Sequence, residues 1–284
     1  MTAHPLEQPT LMRFGRLMAD GDRGQAEAVL RQALVLEPNL PLVHVALASL
    51  RWPGPGYRDW LAWLHRYLQP ALYVEIGVEK GESLALAQAP THAIGIDPVF
   101  VGDPLACCTA PTQLYQQSSA DFFRAPPADC PLHGQGFNLA FIDGDHRFES
   151  VLDDFIRLEP WAAPGALIVL HDTLPLTALT ASPTRQSGFY TGDGWKIVPC
   201  LRGLRPQLRI VTLPVAPTGL TLVTGLDRTS TVLSDRREDI LATYAALAAD
   251  KVVERPEFEA RPLGLNDHDW VRRWLSGAGV QSRS

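Results

Sequence analysis

The stretch Tyr73-Val-Glu-Ile-Gly-Val-Glu-Lys-Gly-Glu-Ser83 sets the frame for the whole chain. Its first half is a short apolar run that reads as a strand over Tyr73–Val78, and its second half is a glycine-bearing bend. Glu75, Gly77, Gly81 and Ser83 fall at this strand-to-helix turn, where glycine lets a ligand approach the backbone and the expected helix offers free N–H groups. The spacing E-x-G-x-x-x-G is one residue longer than the end of the dinucleotide fingerprint G-x-G-x-x-G and lacks its first glycine, so a pyrophosphate cradle fits poorly. A carboxylate at Glu75 opposes a pyrophosphate and attracts an ammonium or sulfonium group, which points to a partly cationic ligand.

Six further apolar runs follow, at Ala93–Asp97, Leu114–Ser118, Asn138–Asp143, Ala166–Asp172, Leu208–Leu213 and Leu220–Thr224. Most are separated by helix-length segments, one of which places Phe148, Val151, Leu152 and Phe155 at helical spacing. This alternation predicts an α/β, Rossmann-like, seven-stranded and mostly parallel sheet. The last two runs are joined only by Pro214 to Gly219, too short for a parallel crossover, so the final strand is expected to run antiparallel. Upstream, Ala26, Val29, Leu30, Ala33 and Leu34 keep the spacing of an amphipathic helix that stops at Pro38. The run GDRGQAEAVLRQALVLEP, residues 21–38, resembles the second half of one tetratricopeptide repeat; a lone unit suits a helical cap better than a repeat array. The expected organisation is a helical extension over 1–68, the sheet domain over 69–230 and a helical tail over 231–284, with helices near Ile240, Tyr244 and Leu247 and around Trp270 to Leu275.

With 46 % hydrophobic and 20 % charged residues, the 284-residue chain can bury a full core, which excludes disorder as its main state. Its net charge of −6, with no Lys/Arg run, offers no broad surface for a phosphate backbone, so no nucleic-acid partner is expected. Cys107, Cys108, Cys130 and Cys200 form no C-x-x-C pair and read as reduced thiols. No basic-then-apolar leader stands at the start and no apolar stretch reaches the roughly 18–20 residues that cross a bilayer, so a cytoplasmic protein without a membrane partner is expected.

Asp97 lies 20 residues after Gly77, across the switch point of a doubly wound sheet, where an acidic side chain can accept both ribose hydroxyls. Asp121, in Ser118-Ser-Ala-Asp-Phe-Phe123, either accepts from an adenine amino group or simply belongs to a helix N-cap. Taken in order, VEIGVEKGES, GIDP, SSADFF and FNLAFIDGDHRFESVLDDFIRLEPWAAPGALIVLHDTLP resemble the class I S-adenosylmethionine-dependent methyltransferases. The resemblance covers about Tyr73 to Asp227 and is greatest to small bacterial metal-dependent sugar and macrolide O-methyltransferase-like domains. It implies that Glu75 and Gly77 meet the methionine part of the cofactor, Asp97 the ribose, and Ala120 and Asp121 the adenine side.

Asp143, Asp145 and His146 end the fourth strand, and His171 and Asp172 end the fifth, so all five should converge on the rim where open α/β sheets bind ligands. Asp143 and Asp172 suit a hard cation, Mg²⁺ first, with Mn²⁺ or Zn²⁺ open to a His/Asp set. In the resembling enzymes the position of Asp143 is a metal ligand and the next strand ends in Asp-Asp or Asp-Asn; His171-Asp172 departs from that pattern. His171 is then either a third ligand or a histidine hydrogen-bonded to Asp143 or a nearby carbonyl. Methyl transfer to a hydroxyl needs the proton removed, and His146, aimed into the rim from a helix start, is the expected general base, with His171 next. The segment Thr173 to Lys196, rich in Pro and Gly, is expected to form a mobile lid on which Phe189, Tyr190 and Trp195 could stack against a sugar or aglycone.

The reading is an enzyme that moves a methyl group from S-adenosylmethionine to a hydroxyl of a small-molecule or glycan acceptor, a sugar or a secondary metabolite. A homo-oligomer is left open. Two rivals stand beside it: a non-catalytic interaction protein that recruits a partner through its helical front, and a nucleotide-dependent oxidoreductase, disfavoured by Glu75 and the absent first glycine.

Overall fold

The computed structural model describes residues 4–249 and 263–280. Seven strands form one sheet: β1 (Leu72–Ile76), β2 (His92–Ile96), β3 (Thr112–Tyr115), β4 (Phe137–Ile142), β5 (Ala162–His171), β6 (Arg209–Leu213) and β7 (Leu220–Thr224). Their order is β3-β2-β1-β4-β5-β7-β6. β1 pairs parallel with both β2 and β4, whereas β7 runs antiparallel to both β5 and β6, as the short Pro214–Gly219 connection requires. The third strand is earlier than expected, Thr112–Tyr115 in place of Leu114–Ser118, because Ser118 is taken as the N-cap of the next helix. β5 begins four residues early, at Ala162, and passes a register shift opposite Phe137 and Leu139.

Four helices precede the sheet: α1 (Glu7–Ala19), α2 (Arg23–Leu36), α3 (Pro41–Arg51) and α4 (Tyr57–Leu68). Asp22 caps α2 by accepting from the Gln25 N–H at 3.0 Å, and Pro41 starts α3 where its missing N–H costs nothing. α4 ends at Gln69 in the left-handed conformation, just before Pro70. Among the described residues the later helices are α5 (Ser119–Arg124), α6 (Leu132–Gln135), α7 (Phe148–Leu158), α8 (Ile197–Leu204), α9 (Val232–Asp235), α10 (Arg237–Ala245) and α11 (His268–Gly277). Residues 250–262 and 281–284 of the expected tail lie outside the described residues. No described helix is long and apolar enough to cross a membrane.

The continuous apolar strands bury both faces, which divides the interior into three cores. Leu152 and Phe155 of α7 and Leu201 of α8 close one face over Val74, Ala140 and Ile168. Truncating a fully buried ring such as Phe155 to Ala there costs about 3–5 kcal/mol. Trp60, Leu64 and Leu68 of α4 and Val271 and Leu275 of α11 close the other, over Tyr73, Leu139 and Val169. By packing, therefore, α4 sits with the sheet although the sequence grouped it with the helical extension. The third core lies away from the sheet: Leu30, Val43 and Leu47 of α2 and α3 enclose Leu174, Leu176 and Trp195 from the segment after β5. A buried bidentate pair of Arg205 with Glu159, both contacts 2.8 Å, ties the end of α8 to the start of β5.

Candidate active site

Two cavities open side by side at the C-terminal ends of β1, β4 and β5, and they share Gly77, Glu79, Asp143 and His146. The larger, about 920 Å³, follows the crevice between β2 and β4, where the strand order reverses across β1. The smaller, about 300 Å³, is walled by Tyr57, Arg58, His171, Asp172, Tyr190 and Thr218. Both fall within the size range of ligand sites.

Backbone geometry builds the larger cavity. Gly77 has φ +89°, and a Cβ there would lie 2.2 Å from the Asp143 carbonyl oxygen, so only glycine lets the β1 and β4 turns approach. Asp97 holds the β1 bend: Oδ2 accepts from the N–H groups of Val78 (2.8 Å) and Glu79 (2.9 Å), and Oδ1 accepts from Val99 at 2.8 Å. It also lines the cavity, so the expected ribose contact would fall to lone pairs that these three bonds leave over. Ala120 and Ser119 line the same wall. Beneath them Asp154 accepts from the Ser119 hydroxyl; burial pushes its carboxyl up to about 6. The sequence reading missed Asp154, although an acid just before Phe155 on the apolar side of α7 was a usable signal.

Several expectations for this side are corrected. No α-helix follows β1; the bend runs through the positive φ of Gly77, Glu79 and Gly81 into a three-residue 3₁₀ turn at Leu84–Leu86, so this bend presents no α-helix N-terminus to the cavity. Gly81 serves protein packing, since a Cβ there would lie 2.4 Å from the Pro104 carbonyl oxygen. Glu75 is fully buried, accepting from the Tyr73 hydroxyl at 2.5 Å and from Ser83 Oγ at 2.7 Å. Burial pushes its carboxyl up to about 8, so at pH 7 it is mostly protonated and carries little charge toward a ligand. The acidic character comes instead from the cavity wall, where seven carboxylates, Asp143, Asp145, Asp97, Asp153, Asp154, Glu79 and Glu149, face three arginines, an environment still unsuited to a pyrophosphate. Asp121 is exposed: it accepts from Ser118 Oγ (2.7 Å) and Arg124 (2.7 Å) while Ser118 caps its own N–H, which is the helix-cap alternative.

The smaller cavity is assembled from side chains of distant segments. His146 Nδ1 contacts Asp172 Oδ2, and the His146 carbonyl accepts from the Gly194 N–H at 2.8 Å. A Cβ on Gly192 would lie 2.2 Å from that same carbonyl oxygen. His171 Nδ1 lies 3.0 Å from Asp143 Oδ1 and 3.6 Å from Asp172 Oδ1, and its Nε2 meets Thr218 Oγ1 at 3.3 Å. Asp172 adopts φ +55°, a conformation that costs a non-glycine residue about 1–3 kcal/mol and here sets its carboxylate between two imidazoles. Burial works to lower His146, but Asp172 and then Asp143 outweigh it and raise the imidazole to about 9. The same contest raises His171, and the two imidazoles hold the buried Asp172 below its usual range despite desolvation. Asp145 turns aside to Arg147 and Ser150, both 2.7 Å, and orders the α7 start.

Asp143, His146 and Asp172 present ligand atoms that all lie within 4.8 Å of one another, a donor set that fits one divalent cation. The expected set contained His171 in place of His146. Because protonated His146 and a cation would occupy the same position between the carboxylates, binding the ion must release a proton.

The lid over Thr173 to Lys196 is fastened rather than free. Thr180 accepts from the N–H groups of Thr191 (3.0 Å) and Gly192 (3.1 Å), closing a neck around residues 181–190. Gly188 donates to Asn39 Oδ1 at 2.7 Å, and Phe189 stacks on His44 of α3 with ring centroids 5.0 Å apart. Trp195 is buried in the third core and so is not available to a ligand; Tyr190 remains at the cavity, 5.7 Å from the His146 ring. Tyr57 and Arg58, at the start of α4, were not singled out from sequence, although the aromatic after the Pro-Gly connector was their signal. Tyr57 tilts over His171 at 4.3 Å between centroids.

Residues 74–173 match a family model described as a methyltransferase domain. No curated protein matches the chain. Among solved structures it resembles cofactor-bound Rv0187 from MTB at 17 % identity, covering 67 % of this chain and 88 % of that one, with a TM-score of 0.45. It also resembles the O-methyltransferase TomG from Streptomyces achromogenes, involved in tomaymycin synthesis and solved in complex with SAM, at 16 % identity over 63 % of this chain and 88 % of that one, TM-score 0.43. A third is the O-methyltransferase from Bacillus cereus in complex with SAH, at 12 % identity over 62 % and 85 % of the respective chains, TM-score 0.43.

Proposed function

We propose that the chain, whose residues 74–173 match a methyltransferase-domain model, is a class I, S-adenosylmethionine-dependent methyltransferase that methylates a hydroxyl of a small-molecule acceptor, a sugar or a secondary metabolite. The observation that carries this reading is the pair of adjoining cavities with one shared wall: a donor in the larger and an acceptor in the smaller would meet at Gly77, Asp143 and His146.

In the transfer, His146 Nε2 would take the hydroxyl proton as the acceptor oxygen bonds to carbon, and S-adenosylmethionine, when bound, would supply the methyl group and leave as S-adenosylhomocysteine. Nδ1 is engaged by Asp172, which orients the ring and stabilises the imidazolium that forms. With its proton affinity raised to about 9, free His146 is cationic at pH 7. A sulfonium bound beside it would push that value down by like-charge repulsion, in the direction of the basic form. Asp143 and Asp172 would otherwise hold a divalent cation together with His146, which would acidify the hydroxyl directly. Replacing His146 by Ala should lower turnover by about 10²-fold or more while S-adenosylhomocysteine affinity is kept; unchanged turnover discards the base. Full activity after exhaustive chelation removes the cation.

A further inference from the structure

A third space, about 390 Å³, lies beside the smaller cavity and shares Tyr57, Arg58 and Pro217 with it. Its far wall comes from the helical extension: Val45 and Ser49 of α3, then Trp52. No residue thought to touch the donor lines it. The two neighbouring spaces differ in chemistry. The acceptor cavity carries Asp143, His146, His171 and Asp172, whereas the added space is dominated by Val45, Trp52, Pro53, Ala216 and Pro217, with Arg58 and Asp59 at the margin.

Its walls are fixed in place. Asn266 donates to the Pro53 and Pro55 carbonyls at 3.1 and 3.2 Å while accepting from Trp60 Nε1 at 2.6 Å, and the Tyr57 N–H meets the Ala216 carbonyl at 3.3 Å. The connector between α3 and α4 is therefore held against both α11 and the β6–β7 loop, and the space is present before any ligand arrives. Tyr57 stands between the two compartments, tilted over His171 on the polar side.

Resting on the methyltransferase reading above, we infer that this space is a second acceptor subsite, so that the acceptor is a hydroxylated polar head joined to an uncharged apolar body. The head lies at His146 and Asp172, and the body passes Tyr57 to lie against Val45, Ser49 and Trp52. The helical extension is then part of the acceptor site and sets which molecules are methylated.

Calorimetry on the full chain saturated with S-adenosylhomocysteine tests this, with methyl and octyl β-glucoside as probes below the micelle concentration of the latter. The octyl glucoside should bind at least about tenfold more tightly than the methyl glucoside, since each buried methylene adds roughly 0.8 kcal/mol. Ser49→Phe, an exposed helix position, should fill the space and bring the two affinities to within about threefold, and Val45→Asp should do the same by placing a charge in it. Equal affinities in the wild type, no binding of the octyl glucoside, or an advantage that survives in both folded variants would each overturn the subsite. S-adenosylhomocysteine titration without acceptor reads the donor site separately: failure there sinks the methyltransferase reading itself.

Discussion

The two cavities at the rim, which we propose as the donor and acceptor halves of the site, are built by different means. The donor side rests on backbone: its β1 bend, β2 end and α5 start lie within about fifty residues of one another and are held by Asp97 and by the missing side chain of Gly77, while the β4 end and α7 supply the facing wall. On the acceptor side the same β1 bend is joined by side chains of α4, the ends of β4 and β5, the lid and the β6–β7 loop. A wall held by backbone groups tolerates side-chain change better than backbone change, and a wall made of side chains behaves the other way.

The largest expected effect is on the acceptor side. Loss of the His146 imidazole should stop transfer by two orders of magnitude or more while leaving donor affinity alone; a parallel loss of S-adenosylhomocysteine binding in titration would mean that the two halves are not separable. Gly77→Ala is the counterpart: strain at positive φ plus a 2.2 Å clash with the Asp143 carbonyl should cost about 2–4 kcal/mol and abolish donor binding, measured by urea unfolding and titration. If Gly77→Ala binds normally, the donor side is more plastic than its geometry shows.

A smaller effect concerns Glu75. Its carboxyl titrates near 8 when folded and near 4.5 as a free side chain, so across pH 4.5 to 8 the native state holds a proton that the unfolded chain has released. Stability from this group is therefore complete below about pH 4.5, declines as pH rises through that window, and stays low above 8. Glu75→Gln should remove the decline and raise the melting temperature at pH 8 by about 3 °C or more, with little change at pH 5; parallel melting curves for the two proteins at both pH values would show that the carboxyl is ionised after all. The smallest effect is expected at Asp121→Ala: a slight loss of stability as Ser118 and Arg124 lose their contacts at the α5 start, and unchanged S-adenosylhomocysteine affinity. A tenfold drop in that affinity would return Asp121 to the adenine.

The same contrast explains what could be read from the residues alone. The seven strands of a mostly parallel sheet, the antiparallel β7 and the gathering of Asp143, His146, His171 and Asp172 at one rim follow from period, connection length and the geometry of parallel sheets, all expressed in local sequence. Burial is not local. Glu75 looked like a charge facing a ligand, and only the packing of Tyr73 and Ser83 around it shows a neutral, enclosed carboxyl. Trp195 looked like a stacking platform until α2 and α3 closed over it, and Tyr57 came to notice only when α4 was seen to pack on the sheet. Each of these depends on a segment many residues away, whose position no spacing rule supplies.

The neck at Thr180 divides the lid into parts with different freedom to vary. Residues 181–190 leave and rejoin the body at one point, so added or deleted length at 181–184 would be absorbed within the loop, ahead of Arg185 and of Gly188 to Tyr190, which line the cavities. Past Gly192 the chain runs directly against the His146 carbonyl, and a single extra residue would turn the imidazole away from Asp172. Descendants of this protein could remodel the loop tip to suit new molecules, while Thr180, Thr191 and Gly192, which close it, have almost no latitude.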